Sequence, residues 1–97
     1  MHDTTIRAQL AEARTHSRNA QDAYTAAKLA VKRRLLDEAQ GWKGLGSNDK
    51  EREIRFDLAV EADAACQQAA ADLRHWQAEV DRLQAEVDDD IDTRVRR

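Results

Sequence analysis

From Ile6, alternate steps of four and three residues reach Leu10, Ala13, Ser17, Ala20, Tyr24, Ala27 and Val31. One more step of four reaches Leu35. A mean step of 3.5 keeps side chains on one face of an α-helix and is the spacing of a coiled-coil seam. The spacing predicts a helix over about residues 3–39, roughly 55 Å long at 1.5 Å per residue. Most of its seam residues are small, which lets a partner helix approach closely. A second stripe runs Ile54, Leu58, Ala62, Ala65, Ala69, Leu73, Trp76, Val80, Leu83, Val87, Ile91. Its first half steps 4,4,3, an eleven-residue repeat, before 4,3,4 takes over. That mixture predicts a second helix over about residues 49–90, in a nearly straight pair with the first.

The two stripes are separated by the only glycines of the chain, Gly41, Gly44 and Gly46, and there is no proline. Glycine is strong structural punctuation, so residues 40–48 are read as a turn. Gly44 and Gly46 are expected to supply the positive φ angles of a helix stop, with Trp42 and Leu45 covering the end of the core. Asn48 is a candidate N-cap and Glu51, three residues on, can close a capping box; Ser47 is the neighbouring alternative. Asp49 and Glu51 also place negative charge in the first turn, where the helix dipole favours it.

Folding the chain about residue 44 pairs positions whose numbers sum to about 88. Val31 then faces Asp57 and Leu58, Tyr24 faces Ala64 and Ala65, and Ala20 faces Ala69. Ala13 falls opposite Trp76, Leu10 near Val80 and Ile6 near Leu83. Large side chains meet small ones along this seam, as dense packing requires. The fold class expected is all-α: an antiparallel, coiled-coil-like two-helix hairpin forming one domain over residues 1–97. In this register residues 88–97 extend past Met1, so the tail 91–97 either frays or packs on another molecule.

Further apolar lines, Leu29 with Leu36 and Phe56 with Val60, Ala64, Ala71 and Ala78, lie off the main seam. Leaving them in water is unusual for a monomer, which predicts a homodimer forming a four-helix bundle, or burial against a partner protein. The composition agrees with long helices: 36% charged and 4% aromatic over 97 residues. A mean hydropathy of −0.85 would also suit disorder, but the sustained periodicity argues against it. No run of 18 apolar residues is present, so no membrane span or membrane partner is expected. Residues 1–5 lack a basic stretch followed by an apolar one, and a cytoplasmic location is expected.

No enzyme motif is evident, and no cofactor is expected. The segment from Gly41 to Ser47 lacks Walker spacing and a following strand. Cys66 is the sole cysteine, read as a small apolar residue with an interchain disulfide as its sharper alternative. His2, His16 and His75 could ligate a metal only if two meet; the pairing rule brings His16 and His75 within a turn, but no Glu-x-x-His spacing supports a metal site. The net charge of −3 hides an asymmetry, +2 over residues 1–40 against −6 over 49–97. A basic helix therefore folds back on an acidic one.

Three surface features are candidates for binding. Trp42, Lys43 and Leu45 at the tip offer a partner anchor, since Trp is enriched in interface hot spots. Asp88, Asp89, Asp90 and Asp92 make an acidic strip, extended by Glu79, Asp81 and Glu86, that could mimic a phosphate backbone. Lys28, Lys32, Arg33 and Arg34 are a basic cluster with Arg7, Arg14 and Arg18 upstream, the alternative site for nucleic acid. No stacking aromatics are expected beside it.

The turn, Gly41-Trp42-Lys43-Gly44-Leu45-Gly46-Ser47-Asn48-Asp49-Lys50-Glu51-Arg52-Glu53, resembles that of small helical-hairpin accessory proteins of bacteriophages and prophages. In those, an Ala-rich helix precedes a Gly/Asn turn and a Lys-Glu-Arg-Glu helix start. The resemblance implies a phage accessory role in the host cytoplasm, blocking a host defence or assisting replication by binding rather than catalysis. It transfers no functional residue.

Overall fold

A computed structural model describes residues 2–96. Among these there is no strand, and four helices follow in order: α1 (His2–Glu38), α2 (Trp42–Leu45), α3 (Asp49–Ala62) and α4 (Ala64–Arg96). The molecule is a rod of 65 × 20 × 16 Å. At one end Ile6, Leu10 and Ala13 of α1 pack with Leu83 and Val87 of α4, and Trp76 and Val80 lie against them. At the other, Val31 packs with Val60 of α3 and Cys66 of α4, flanked by Tyr24, Leu35 and Phe56. Low numbers on α1 meet high numbers on α4, so α1 and the α3–α4 arm form an antiparallel hairpin. Every residue of the first stripe, Ile6 to Leu35, is buried or half-buried. The stripes expected to meet do share this cluster, but the register is shifted from a sum of 88: Arg14 donates to Gln84 at 2.5 Å, where that sum places Arg74 opposite it.

The turn is built differently from the expectation. α1 ends in a Schellman arrangement: the Gly41 N–H donates to the Leu36 carbonyl at 2.8 Å and the Gln40 N–H to Asp37 at 3.3 Å. Among the described residues, those with φ in the left-handed region are Gln40 (59°) and Gly41 (114°), not Gly44, while Gly46 is extended (φ 162°). Those two glycines are needed for close approach instead. A Cβ on Gly44 would collide with the Ala39 carbonyl, and one on Gly46 would lie 2.8 Å from the Cβ of Glu51. Between them, α2 is a single helical turn inside the segment read as a turn. Asn48 is the cap of α3: its Oδ1 accepts from the Glu51 N–H at 2.9 Å. The Glu51 carboxylate closes the box one residue earlier, accepting from the Ser47 N–H at 2.8 Å and its hydroxyl at 2.9 Å.

The predicted helix over residues 49–90 is two helices, and this is the main correction. Asp63, at φ −83° and ψ 120°, interrupts it. The Asp63 Oδ2 accepts from the Cys66 N–H at 2.9 Å, so it is the N-cap of α4, and Oδ1 lies 3.4 Å from the Arg34 guanidinium on α1. The carbonyl of Val60, left at the broken end of α3, accepts from the Asp63 N–H and from the Gln67 amide, both at 3.2 Å. The break re-phases α3. Val60 is 7% exposed and Phe56 half-buried against α1, whereas Ile54 and Leu58, placed by their spacing on the seam, are 50% and 59% exposed. Val31 accordingly meets Val60, not Leu58. From Ala69 to Val87 the second stripe is buried or half-buried, with Leu73, Leu83 and Val87 buried, whereas Ala65 at the start of α4 is exposed. α4 continues through the tail to Arg96, and Arg97 lies outside the described residues. Ile91 and Val95 are exposed there, 42% and 79%.

Cys66 is fully buried in this junction, so it is not placed for an interchain disulfide. Burial pushes its thiol up and the Asp63 carboxylate reinforces the shift. The thiol is therefore protonated near neutrality and a poor nucleophile.

Val60→Ala is expected to destabilise the fold by about 1–2 kcal/mol, and Leu58→Ala by about 0.5 kcal/mol or less. Chemical denaturation of both variants checks the phase of α3, since a continuous helix would reverse the order. Acid provides a second check. The Cys66 N–H bond and then the Arg34 charge hold the Asp63 carboxyl below its ordinary value of 3.8, and the Ser47 donors hold Glu51 below 4.5. Groups lowered in this way stabilise the fold above their ordinary values and lose that contribution as the pH falls through the lower native ones. Protection of the Ser47 and Cys66 amides, which donate to these two carboxylates, from hydrogen exchange, corrected for intrinsic rate, is expected to hold from pH 7 to 5 and to fall below about 4.

Candidate interaction surface at the hairpin tip

The left-handed Gly41 turns the chain so that α2 lies across the end of the hairpin. Leu45 drops into the core at 5% exposure, while Trp42 stays 48% exposed and Lys43 exposed. Of the three tip residues expected at a partner surface, Leu45 is therefore part of the core and Trp42 and Lys43 are accessible. Leu35, Trp42, Leu45 and Phe56 line a notch of about 250 Å³, whose rim carries Lys32, Asp49, Arg52 and Glu53. Two arginines brace the loop from α3: Arg52 Nε donates to the Gly46 carbonyl at 3.3 Å and its Nη1 to Asp49 at 3.0 Å, and Arg55 reaches the Gly44 carbonyl at 3.5 Å. An apolar notch beside a half-exposed indole, with both charge signs on its rim, suits an apolar side chain offered by another protein.

The basic cluster does not form one surface. Steps of about 100° per residue spread Lys32, Arg33 and Arg34 around α1. Aromatics accompany two members, contrary to expectation: Lys28 Nζ sits 4.4 Å above the Tyr24 ring and Lys32 Nζ 5.0 Å above Trp42. Arg34 is engaged by Asp63 and, at 4.0 Å, by Glu38. The acidic strip is likewise dispersed. Asp88, Asp89 and Asp90 are consecutive on a helix and point to different sides. Asp88 accepts from Gln84 at 2.9 Å and Asp90 pairs with Arg94 at 3.6 Å. Glu79 and Glu86 are both bound by Arg82, at 2.8 and 3.0 Å, which removes them from any continuous negative face.

His16 and His75 both contact Trp76. His16 stacks on the indole at 4.2 Å and His75 meets its edge at 5.0 Å. His16 also has Glu12 at 3.7 Å. Among the described residues no three His, Cys, Asp or Glu side chains gather as a metal site would require; the side chain of His2 lies outside them. Nor is any described helix long and apolar enough to cross a membrane.

Asp63 and Arg34 as a junction pair, and Trp76 as an aromatic staple, were not singled out from sequence. Asp is a preferred N-cap residue, so Asp63 carried a usable signal; the Arg34 contact, 29 positions away, carried none. No family model, no curated protein and no solved structure matches this chain.

Trp42→Ala is expected to leave stability within about 0.5 kcal/mol, whereas Leu45→Ala costs about 2–4 kcal/mol. Thermal unfolding of the two variants by circular dichroism separates the exposed residue of the tip from the structural one.

Proposed function

We propose that the chain is a non-enzymatic association module that self-associates as a helical bundle and offers its tip to a protein partner. The observation that carries this reading is its surface. An 11.0 kDa monomer of ordinary compactness exposes roughly 5,600 Å², and this chain exposes 7160 Å². The excess, roughly 1,500 Å², is larger than the ~800 Å² that one partner contributes to a standard interface. Part of the exposed area is large and apolar: Leu29, Ile54, Leu58, Ile91 and Val95 besides Trp42. A homodimer forming a four-helix bundle would cover a side of the rod and leave the end with Trp42 and Lys43 accessible. The turn's resemblance to phage hairpin proteins supports an accessory role, such as inhibiting a host defence by occupying a protein surface.

Nucleic-acid binding through Lys28, Lys32, Arg33 and Arg34 is the second reading, favoured by the Tyr24 and Trp42 rings beside two of the lysines. A tagged pull-down from bacterial lysate, with and without nuclease, decides between them. The association reading expects one stoichiometric protein that survives nuclease and is lost with Trp42→Ala. Partners that vanish on nuclease treatment, or nucleic acid released by salt, would contradict it.

A further inference from the structure

Residues 59–67, Ala-Val-Glu-Ala-Asp-Ala-Ala-Cys-Gln, contain neither glycine nor proline. Nothing in their covalent structure prevents one helix from Asp49 to Arg96. The interruption is held by side chains: the Asp63 cap on the Cys66 N–H, the Arg34–Asp63 pair, and the Gln67 amide on the Val60 carbonyl. α3 also carries two apolar pairs on different faces. Phe56 and Val60 face α1, and Ile54 and Leu58 face solvent.

We propose that Asp63 is a two-state hinge. In the bent state described above, Phe56 and Val60 pack on α1. In the straight state α3 and α4 fuse into one helix, and Ile54 and Leu58 take their place.

The sequence periodicity specifies the second state. An eleven-residue repeat turns about 98° per residue. In one continuous helix, Ile54, Leu58, Ala62, Ala65, Ala69 and Leu73 then fall within one face about 65° wide, and Phe56 and Val60 fall on the opposite side. Cys66 is seven residues from Leu73, about 33° from it at that pitch, so it stays beside the buried face in both states. The two pairs are similar in apolar volume, so packing alone discriminates weakly and the polar latch decides. Releasing Asp63 does not strand Arg34, because Glu38 lies on its own helix at 4.0 Å. The hinge thus exchanges one exposed apolar pair for another, and the surface near the tip differs between the states.

The test is nuclear magnetic resonance on the full chain, wild type against Asp63→Ala. In the wild type, residue 63 is expected to have extended carbon shifts, and the Val60 methyls to show Overhauser contacts to Val31. In Asp63→Ala, residue 63 is expected to move to helical shifts, Val60 to lose those contacts and the Leu58 methyls to gain contacts with α1. An Asp63→Ala protein that keeps Val60 against Val31 overturns the hinge. Should that variant fail to fold, Arg34→Ala decides, since it removes the latch and leaves the cap. Residues 54–67 are then expected to show a second set of shifts, with the straight state populated at least tenfold more than in the wild type. A single bent set with flat relaxation dispersion overturns the proposal.

Discussion

Between the cluster at Ile6, Leu10 and Leu83 and the cluster at Val31, Val60 and Cys66, the buried residues are Ala20 and Leu73. The helices there leave a cleft of about 580 Å³ lined by Ala20, Ala23, Ala27, Ala65 and Ala69. This shortage of apolar volume shapes the rest of the molecule. A compact chain of this length has a radius of gyration of about 12.5 Å, and here it is 19.9 Å. Without enough large apolar side chains for a globular core, the chain concentrates them on one line per helix and accepts a long, thin shape with much surface.

The same shortage gives the local devices their weight. When burial returns little, a cap or a helix stop worth about 1 kcal/mol is a sizeable share of the whole. The chain fits its devices closely at the three places where helices end. Gln40 and Gly41 stop α1, Ser47, Asn48 and Glu51 start α3, and Asp63 starts α4. Asp63 has the widest consequence, since a single extended residue decides which side of α3 is buried. It also joins all three long helices, with its carboxylate capping α4, its N–H bonded back to α3 and Arg34 reaching it from α1.

Much of this was legible in the residues. The first stripe, uninterrupted from Ile6 to Leu35, told the truth because α1 is one unbroken helix. The second did so only from Ala69 to Val87. Periodicity assumes a continuous phase, and Ile54 and Leu58 continue the phase of α4 across a break that carries neither glycine nor proline. Asp63 was an available cap signal, but a lone Asp within an otherwise helical stretch is a weak one, and what holds it is a contact from a distant helix. The glycines were read for the wrong reason: close approach, not left-handed backbone, is what Gly44 and Gly46 provide. The charged sites fared similarly. Runs such as Asp88 to Asp90 and Lys32 to Arg34 look like clusters in one dimension and disperse around a helix in three. Trp42 is accessible at the tip because a residue on a one-turn helix is not subject to that dispersal.

One hairpin leaves large apolar side chains such as Leu29, Leu58 and Val95 exposed, and the proposed self-association would cover them. Its most direct test is the molar mass in solution by sedimentation equilibrium, from low micromolar to high micromolar concentration. Self-association predicts a rise toward about twice the chain mass of 11.0 kDa, with a concentration dependence that defines the dissociation constant. A mass that remains at 11.0 kDa over the whole range, with the helices intact, would contradict it.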